Sequence, residues 1–344
     1  MGGKARHGTR MAKSLVVATL IGLAAAVALI GYFGAGSVWS AFEAVGWGAL
    51  LVMMVRAVET SGAGVAWAWL LPTASRPPLR IFMLLRWLRE SINCLLPVAQ
   101  VGGDLIGARL LTFWRVPGGP AAASVIADLF VQTLTQVLFT LLGVGLLIAT
   151  VGDSALARWV LAGCGLMVPA LIGFFAAQRF GGFKFVEKLF AKLAQNPKWA
   201  ALGGMTSLHD SLQAIYRRPD PLFAAIALHL AIWFVGVWEI DFALRFMGHR
   251  VDYTTALIIE SLAQAVRGAA FVVPGAIGVQ EGGFIALCAI FGIPAPTAIA
   301  LSLVKRLPEV LLGIPGLLIW QGLEGRRLLR GRPADANQDA SQPV

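Results

Sequence analysis

The sequence predicts an all-α polytopic membrane protein, with about six full transmembrane helices and two re-entrant hairpins in an inverted repeat. Three observations carry this. Of the 344 residues, 58% are hydrophobic and only 13% are charged, about half the charged fraction of a soluble domain, roughly 25%. Mean hydropathy is +0.75. Several segments hold the roughly 20 apolar residues that cross a hydrocarbon core of about 30 Å, and in lipid each must be helical because no water satisfies the backbone. Finally, one stretch of chain repeats without a gap at an offset of 177 residues.

A basic N-terminus (Lys4, Arg6, Arg10, Lys13) precedes the apolar run 14–34. The run is long and shows no small-residue cleavage site, so it reads as an uncleaved first helix. The further apolar segments are 46–71, 81–97 with 99–112, 121–150, 157–178, 221–247, 254–273 with 275–292, and 296–320. The two joined pairs carry internal charges, then proline and glycines, then a second stretch too short for an ordinary span. That pattern suits hairpins at 81–112 and 254–292.

Basic residues orient the chain. With both pairs returning to the side they entered, inside segments hold four Lys/Arg at 1–13 and two at 72–80 (Arg76, Arg80). One more lies at 113–120 (Arg115), seven at 179–220 and four in the tail (Arg326, Arg327, Arg330, Arg332). The outside loops at 35–45 and 151–157 hold none, and 248–253 holds only Arg250. If the first pair crossed instead, the basic 179–220 segment would face outside. The domain reading is therefore a cytoplasmic basic terminus (1–13), a first helix (14–34) and repeat unit one (46–178). A cytoplasmic amphipathic linker (179–220), repeat unit two (221–325) and a disordered cytoplasmic tail (326–344) follow. In the linker, Phe183, Phe185, Val186, Leu189, Phe190 and Leu193 interleave with Lys184, Lys188 and Lys192, as in a helix lying at an anionic lipid surface. A plain tether is the alternative. The expected location is a bacterial inner membrane with both termini cytoplasmic.

At the offset of 177, Pro97 aligns with Pro274, Asp104 with Glu281, Trp114 with Phe291, Pro117 with Pro294, and Gln132 with Glu309. The helices 46–71 and 221–247 run in opposite directions in this topology, so the units are inverted, as in many secondary transporters. The hairpin turns are placed at Pro97, Gly102 and Gly103, and at Pro274, Gly275 and Gly278. Proline stops the incoming helix, and glycine allows positive φ and close packing.

Ionisable groups inside membrane segments cost a few kcal/mol each and mark function. The candidate cavity residues are Glu90, Asp104, Arg109, Asp128, Arg267, Glu281, Lys305, Arg306 and Glu309. Asp104 and Glu281 can cap the half-helices that follow each turn. Their recurrence at matched positions favours a central polar cavity. Asp128 with Gln132, and Lys305 with Glu309, are i, i+4 pairs. Asp128 and Lys305 share a repeat position with opposite charge, and pairing across the pseudo-axis is expected, with local neutralisation of Lys305 by Glu309 and of Asp128 by Arg109 or Arg115 as the alternative. Arg56 and Glu59 read as an internal pair and His229 as a packed, hydrogen-bonded histidine. Glu239 and Asp241 fall near the outer boundary, where water or burial remains open. No catalytic motif, Walker motif or metal-ligand spacing occurs, the four histidines are scattered, and Cys94, Cys164 and Cys288 are isolated. No catalytic residue, metal or cofactor is expected. The net charge of +10 sits at segment ends and loops, which argues for membrane topology and against nucleic acid.

The Pro-x-x-x-Gly-x-x-Glu run from Pro274 to Glu281 resembles the hairpin of the membrane domain of lysylphosphatidylglycerol synthase/flippase proteins. The segment ESINCLLPVAQVGGDLIGARLL over 90–111 is similar to the hopanoid-biosynthesis-associated, HpnL-like branch of that family. The resemblance covers about residues 14–325. It implies movement of an amphipathic lipid between leaflets. The soluble aminoacyl-transferase domain is not seen, so only the membrane half carries over. The resulting expectation is a transporter or flippase for a polar-headed lipid, hopanoid cargo included. The acids Asp104, Asp128, Glu281 and Glu309 would engage a cationic or hydroxylated head group or a coupled proton. The cations Arg109, Arg267, Lys305 and Arg306 would balance them or meet a phosphate. An embedded accessory protein or enzyme of hopanoid or isoprenoid lipid synthesis, working with partner proteins, is the alternative. A scaffold for other membrane proteins is the third reading. Membrane lipids are the expected partners, and the oligomeric state stays open.

Overall fold

The computed structural model describes residues 35–96, 102–152, 208–270 and 276–330, together with isolated positions between 158 and 176. In chain order the helices are α1 (Ala35–Val45), α2 (Gly48–Leu70), α3 (Leu79–Leu95), α4 (Gly102–Leu111) and α5 (Gly118–Val151). They continue with α6 (Leu208–Tyr216), α7 (Pro219–Phe246), α8 (Tyr253–Ala269), α9 (Val279–Ile290) and α10 (Ala295–Arg330). No strand occurs among the described residues. Three described helices, α2, α5 and α7, are long and apolar enough to cross a bilayer. The first helix at 14–34, most of the segment 157–178 and most of the linker lie outside the described residues.

Polarity is distributed as lipid demands. Large apolar side chains point outward, among them Leu51, Met54 and Val58 on α2, Leu138 and Leu141 on α5, and Leu311 and Leu318 on α10. The buried set instead includes Glu59, Arg86, Arg89, Asp104, Asp128, Glu239, Glu260 and Lys305. Water would reverse this arrangement. Two apolar cores flank the polar layer. One packs Trp67, Phe82, Leu85 and Leu88 against Leu110, Leu111 and the start of α5. The other packs Phe139, Val144 and Leu147 from the end of α5 against Ile240, Ile258, Leu262, Phe284 and Leu301. Between them, α5 presents Gln132, Thr133 and Gln136.

The helix boundaries recur at the offset seen in the sequence. The helices α4 and α9 begin at Gly102 and Val279, and α5 and α10 begin at Gly118 and Ala295. Both of the latter follow prolines whose carbonyls accept the first backbone hydrogen bond, Pro117 from Ala121 and Pro294 from Ala298. Before them the chain turns through positive φ at the paired positions Arg115 (65°) and Gly292 (70°). A glycine suits that conformation and an arginine seldom adopts it, so the turn is a property of the unit. At about 1.5 Å per residue, α4 and α9 are too short to cross a bilayer. Each packs on the helix before it, α4 on α3 and α9 on α8.

Several expectations are corrected. The outside loop placed at 35–45 is helix α1, where Trp39 Nε1 donates to Glu43 Oε1 one turn on, at 2.6 Å. The segment ending at 320 continues as helix to Arg330, so the tail placed from 326 begins inside α10. The linker contains α6, whose Leu208 and Leu212 are buried in the first core, because its apolar face finds α5. Gly102 and Gly103 form the first turn of α4 rather than a linking turn. A Cβ on Gly103 would collide with the Arg89 carbonyl of α3. Gly278, at φ 81°, does occupy the turn before α9. Pro97, Pro274 and Gly275 lie outside the described residues.

Close helix crossings also rely on glycine. A Cβ on Gly64 of α2 would stand 2.8 Å from Met83 Cα and 2.9 Å from the Phe82 carbonyl oxygen, both backbone atoms of α3. Backbone cannot swing aside as a side chain can. Gly64→Ala is therefore expected to cost about 1–3 kcal/mol, read as a lowered thermal midpoint in detergent. Gly145→Ala, with open space around it, is the neutral control.

Candidate functional site

The helices α2, α3, α5, α7 and α8 and the start of α4 enclose a polar cavity of about 260 Å³. Its walls carry Arg56, Glu59, Arg86, Arg89, Glu90 and Asp104, with Asn93, Cys94, Gln132, His229, Trp233, Gln264 and Arg267. The α3 contribution follows from helix spacing. Arg86, Arg89 and Asn93 stand at i, i+3 and i+7 and share one face, and Glu90 flanks them.

Arg89, 1% exposed, organises one wall. Its Nε and Nη2 donate to Asp104 Oδ1 at 2.9 and 2.6 Å, and its Nη1 donates to Asp128 Oδ2 at 2.8 Å. Its guanidinium also lies 4.6 Å from the Trp67 ring centroid. Arg86 reaches Asp128 Oδ2 at 3.2 Å and Gln132 Oε1 at 3.1 Å. His229 Nε2 meets the other Asp128 oxygen at 3.2 Å. Asn93 ties the start of α4 down by accepting from the Gly103 N–H at 2.7 Å and donating to Asp104 Oδ2 at 3.3 Å. Planar, permanently charged guanidinium suits such multidentate bridging.

A second network lies behind the opposite wall. Lys305 Nζ, 2% exposed, bonds Glu239 Oε2 at 2.7 Å and Glu260 Oε2 at 2.6 Å. Arg56 Nη2 joins the same Glu239 oxygen at 2.9 Å, and its Nη1 lies 3.3 Å from Glu59 Oε2. Gln264 donates to Glu260 Oε1 at 2.7 Å.

Of the nine cavity residues expected from sequence, Glu90, Asp104 and Arg267 line this cavity. Asp128 stands behind it, held by Arg86, Arg89 and His229. Glu309 ion-pairs with the lining Arg267. Arg109 does not line it; it forms a two-point ion pair with Glu324, with Nη2 to Oε2 at 2.9 Å. Glu281 and Arg306 form a separate cluster. Glu281 Oε1 accepts from Arg306 Nε at 2.9 Å and Ser302 Oγ at 3.0 Å, while Oε2 accepts from the Gly278 N–H at 2.6 Å. That last bond is helix capping. The pairing of Asp128 with Lys305 is not formed, and neither is the alternative of neutralisation by Arg109, Arg115 or Glu309. Each charge instead takes partners from other helices. Glu239 and Asp241, placed near the outer boundary, are 0% and 2% exposed. The i, i+3 pair of Arg56 and Glu59 is present, and His229 is buried and bonded to Asp128.

The sequence reading does not single out Arg86 and Arg89 as organisers, leaves Asn93 and Glu59 out of the cavity, and does not identify Glu239 and Glu260 as the partners of Lys305 behind it. Spacing identifies the α3 set: two arginines and an asparagine at i, i+3 and i+7 on one helix face. Glu239 and Glu260 give no such signal, since their partners lie 66 and 45 residues away along the chain.

Helices with apolar outer faces around a charged interior define an all-α integral membrane protein. The family model described as the lysylphosphatidylglycerol synthase TM region matches residues 16–316, and the chain belongs to that family. No curated protein and no solved structure matches it.

Proposed function

We propose that this protein moves a polar-headed lipid between the leaflets of a bacterial inner membrane, and that it does so as a transporter rather than an enzyme. The observation that carries this reading is the cavity itself. It places Arg56, Arg86, Arg89 and Arg267 beside Glu59, Glu90 and Asp104 at the centre of a lipid-facing helical shell. A space of about 260 Å³ accommodates a head group and leaves hydrocarbon chains in the surrounding bilayer. Desolvating a charged or hydroxylated head group is the main barrier to its crossing. A wall of donors and acceptors replaces its water. The ion pairs lining the wall are exchangeable partners, because a phosphate can take an arginine and an ammonium can take a carboxylate.

The recurrence of helix boundaries at 177 residues and the basic-residue asymmetry support an inverted pair of units with α3–α4 and α8–α9 as re-entrant hairpins, and cytoplasmic termini. The resemblance of residues 90–111 to the hopanoid-associated branch makes a polyhydroxylated hopanoid the first cargo to try. Membership in a family of lipid-related synthase/flippase proteins supports the lipid class.

The test is leaflet-resolved transport in proteoliposomes of purified protein. Anionic, zwitterionic and aminoacylated phospholipids and a hydroxylated hopanoid would be compared, using an impermeant reagent to count molecules in the outer leaflet. Protein-dependent redistribution of at least one head-group class is the expected result. Rates equal to protein-free vesicles for the whole panel would end this reading.

A further inference from the structure

Glu59 stands where the two repeats meet. Shifting it by the repeat offset gives Gly236, and these equivalent positions touch: a Cβ on Gly236 would collide with Glu59 Oε1. The helices α2 and α7 therefore cross at this point, on the pseudo-axis. The glycine opens the space that lets the Glu59 carboxyl rest against α7, less than one turn before Glu239. The same point is 3.7 Å from Glu260 Oε1. Three carboxyl groups thus converge here, and the cations bonded among them are Arg56 and Lys305.

The bonding is lopsided. Glu239 Oε2 accepts from both Arg56 and Lys305, whereas Glu239 Oε1 is fully buried and accepts from nothing. Arg56 bridges the two acids, with Nη1 3.3 Å from Glu59 Oε2 and Nη2 2.9 Å from Glu239 Oε2, and Glu59 Oε2 is likewise buried without a hydrogen bond. Two ionised carboxylates crowded on one guanidinium repel each other, and one proton turns such a pair into donor and acceptor. Among the described residues, the remaining charges facing the cluster do not supply a third cation. Arg267 of α8 is engaged by Glu309 of α10. Glu90 of α3 faces Arg86 at 3.7 Å, and its side chain is 38% exposed. His229 of α7 is bonded to Asp128. Glu59 also lines the cavity, while Glu239 does not, so Glu59 connects the buried oxygen to whatever fills the cavity.

We propose that Glu59 and Glu239 form a proton-binding site on the pseudo-axis, loaded through the cavity, and that the proton is the ion whose movement drives lipid transport. Loading is a simple transfer: hydronium in the cavity gives its proton to a Glu59 oxygen, leaving water, and the resulting O–H donates to Glu239 Oε1. With one negative charge neutralised, the three acids match Arg56 and Lys305. The coupling half rests on the transport function proposed above; the binding half does not.

Two measurements separate them. Infrared difference spectra of the purified protein in nanodiscs, exchanged between H₂O and D₂O at neutral pH, should show a protonated carboxyl band. The band should vanish in Glu59→Gln, whose amide keeps the hydrogen bond to Glu239 and hence the fold, and persist in Glu90→Gln. No such band in the wild type, or a band unchanged in a monodisperse Glu59→Gln, overturns the site. In proteoliposomes, a one-to-one exchange should shift the leaflet distribution of the cargo about tenfold per pH unit imposed across the membrane, and Glu59→Gln should abolish that response. A distribution indifferent to the pH gradient, or one that follows a sodium gradient instead, overturns the coupling. If no lipid moves at all, the transport reading fails while the infrared result still decides the site.

Discussion

Replacing Arg89 by leucine should destabilise the protein by roughly 3–5 kcal/mol, the cost of leaving a buried charge without its partner. The side chain is 1% exposed and holds Asp104 and Asp128 with three hydrogen bonds between 2.6 and 2.9 Å. Asp128 would retain Arg86 and His229. Among the described residues, Asp104 would retain only the 3.3 Å bond from Asn93, and α4 would lose its charged anchor to α3. Lysine at 89 should recover little, since one ammonium cannot reproduce the fork that reaches both acids. Adding Asp104→Asn to Arg89→Leu should recover part of the loss by removing the stranded charge. Arg80 stands at the exposed start of the same helix. Its replacement by leucine is the contrast, expected to change stability by no more than about 0.5 kcal/mol. Thermal unfolding in detergent measures all four. An Arg89→Leu midpoint indistinguishable from that of Arg80→Leu would refute the assignment of Arg89 as organiser.

Lys305→Met should be comparably severe, because Glu59, Glu239 and Glu260 would then face Arg56 alone. The informative measurement is a pair of double-mutant cycles. Lys305→Met with Glu260→Gln restores the original charge balance and should show an interaction energy of about 1–3 kcal/mol. Lys305→Met with Asp128→Asn should be additive within about 0.5 kcal/mol, as for separate sites. The reverse outcome would mean that the two repeat-equivalent charges meet after all, and that the separate networks described here are wrong.

These two experiments mark the limit of what the chain shows when read as text. The class of protein was legible because it rests on bulk quantities: a 13% charged fraction leaves no soluble surface to build. The long helices were legible for the same reason. Helix α1 was not, since AGSVWSAFEAV is too short and mixed to stand out beside the apolar runs around it. The reading of Asp104 as polar and inward needed only the rarity of acids in lipid. Its partner, Arg89, is marked in the sequence by the helix periodicity of α3, which puts Arg86, Arg89 and Asn93 on one face.

The repeat shows the division most clearly. A constant offset of 177 is a property of the sequence alone. It determined which residues are equivalent, and the paired helix starts at Gly102 and Val279 and at Gly118 and Ala295 follow that equivalence. Equivalence says nothing about distance from the axis. Asp128 and Lys305 are equivalent and opposite in charge, yet each sits far enough off the axis to bond other helices: Asp128 to Arg86, Arg89 and His229, and Lys305 to Glu239 and Glu260. Glu59 and Gly236 are equivalent and unlike, yet they touch, because α2 and α7 cross there. Which buried charges compensate one another depends on separations of a few ångströms between helices far apart in sequence, and at those distances Coulomb energies in a poorly polarisable interior dominate. Only the packed tertiary structure sets those separations.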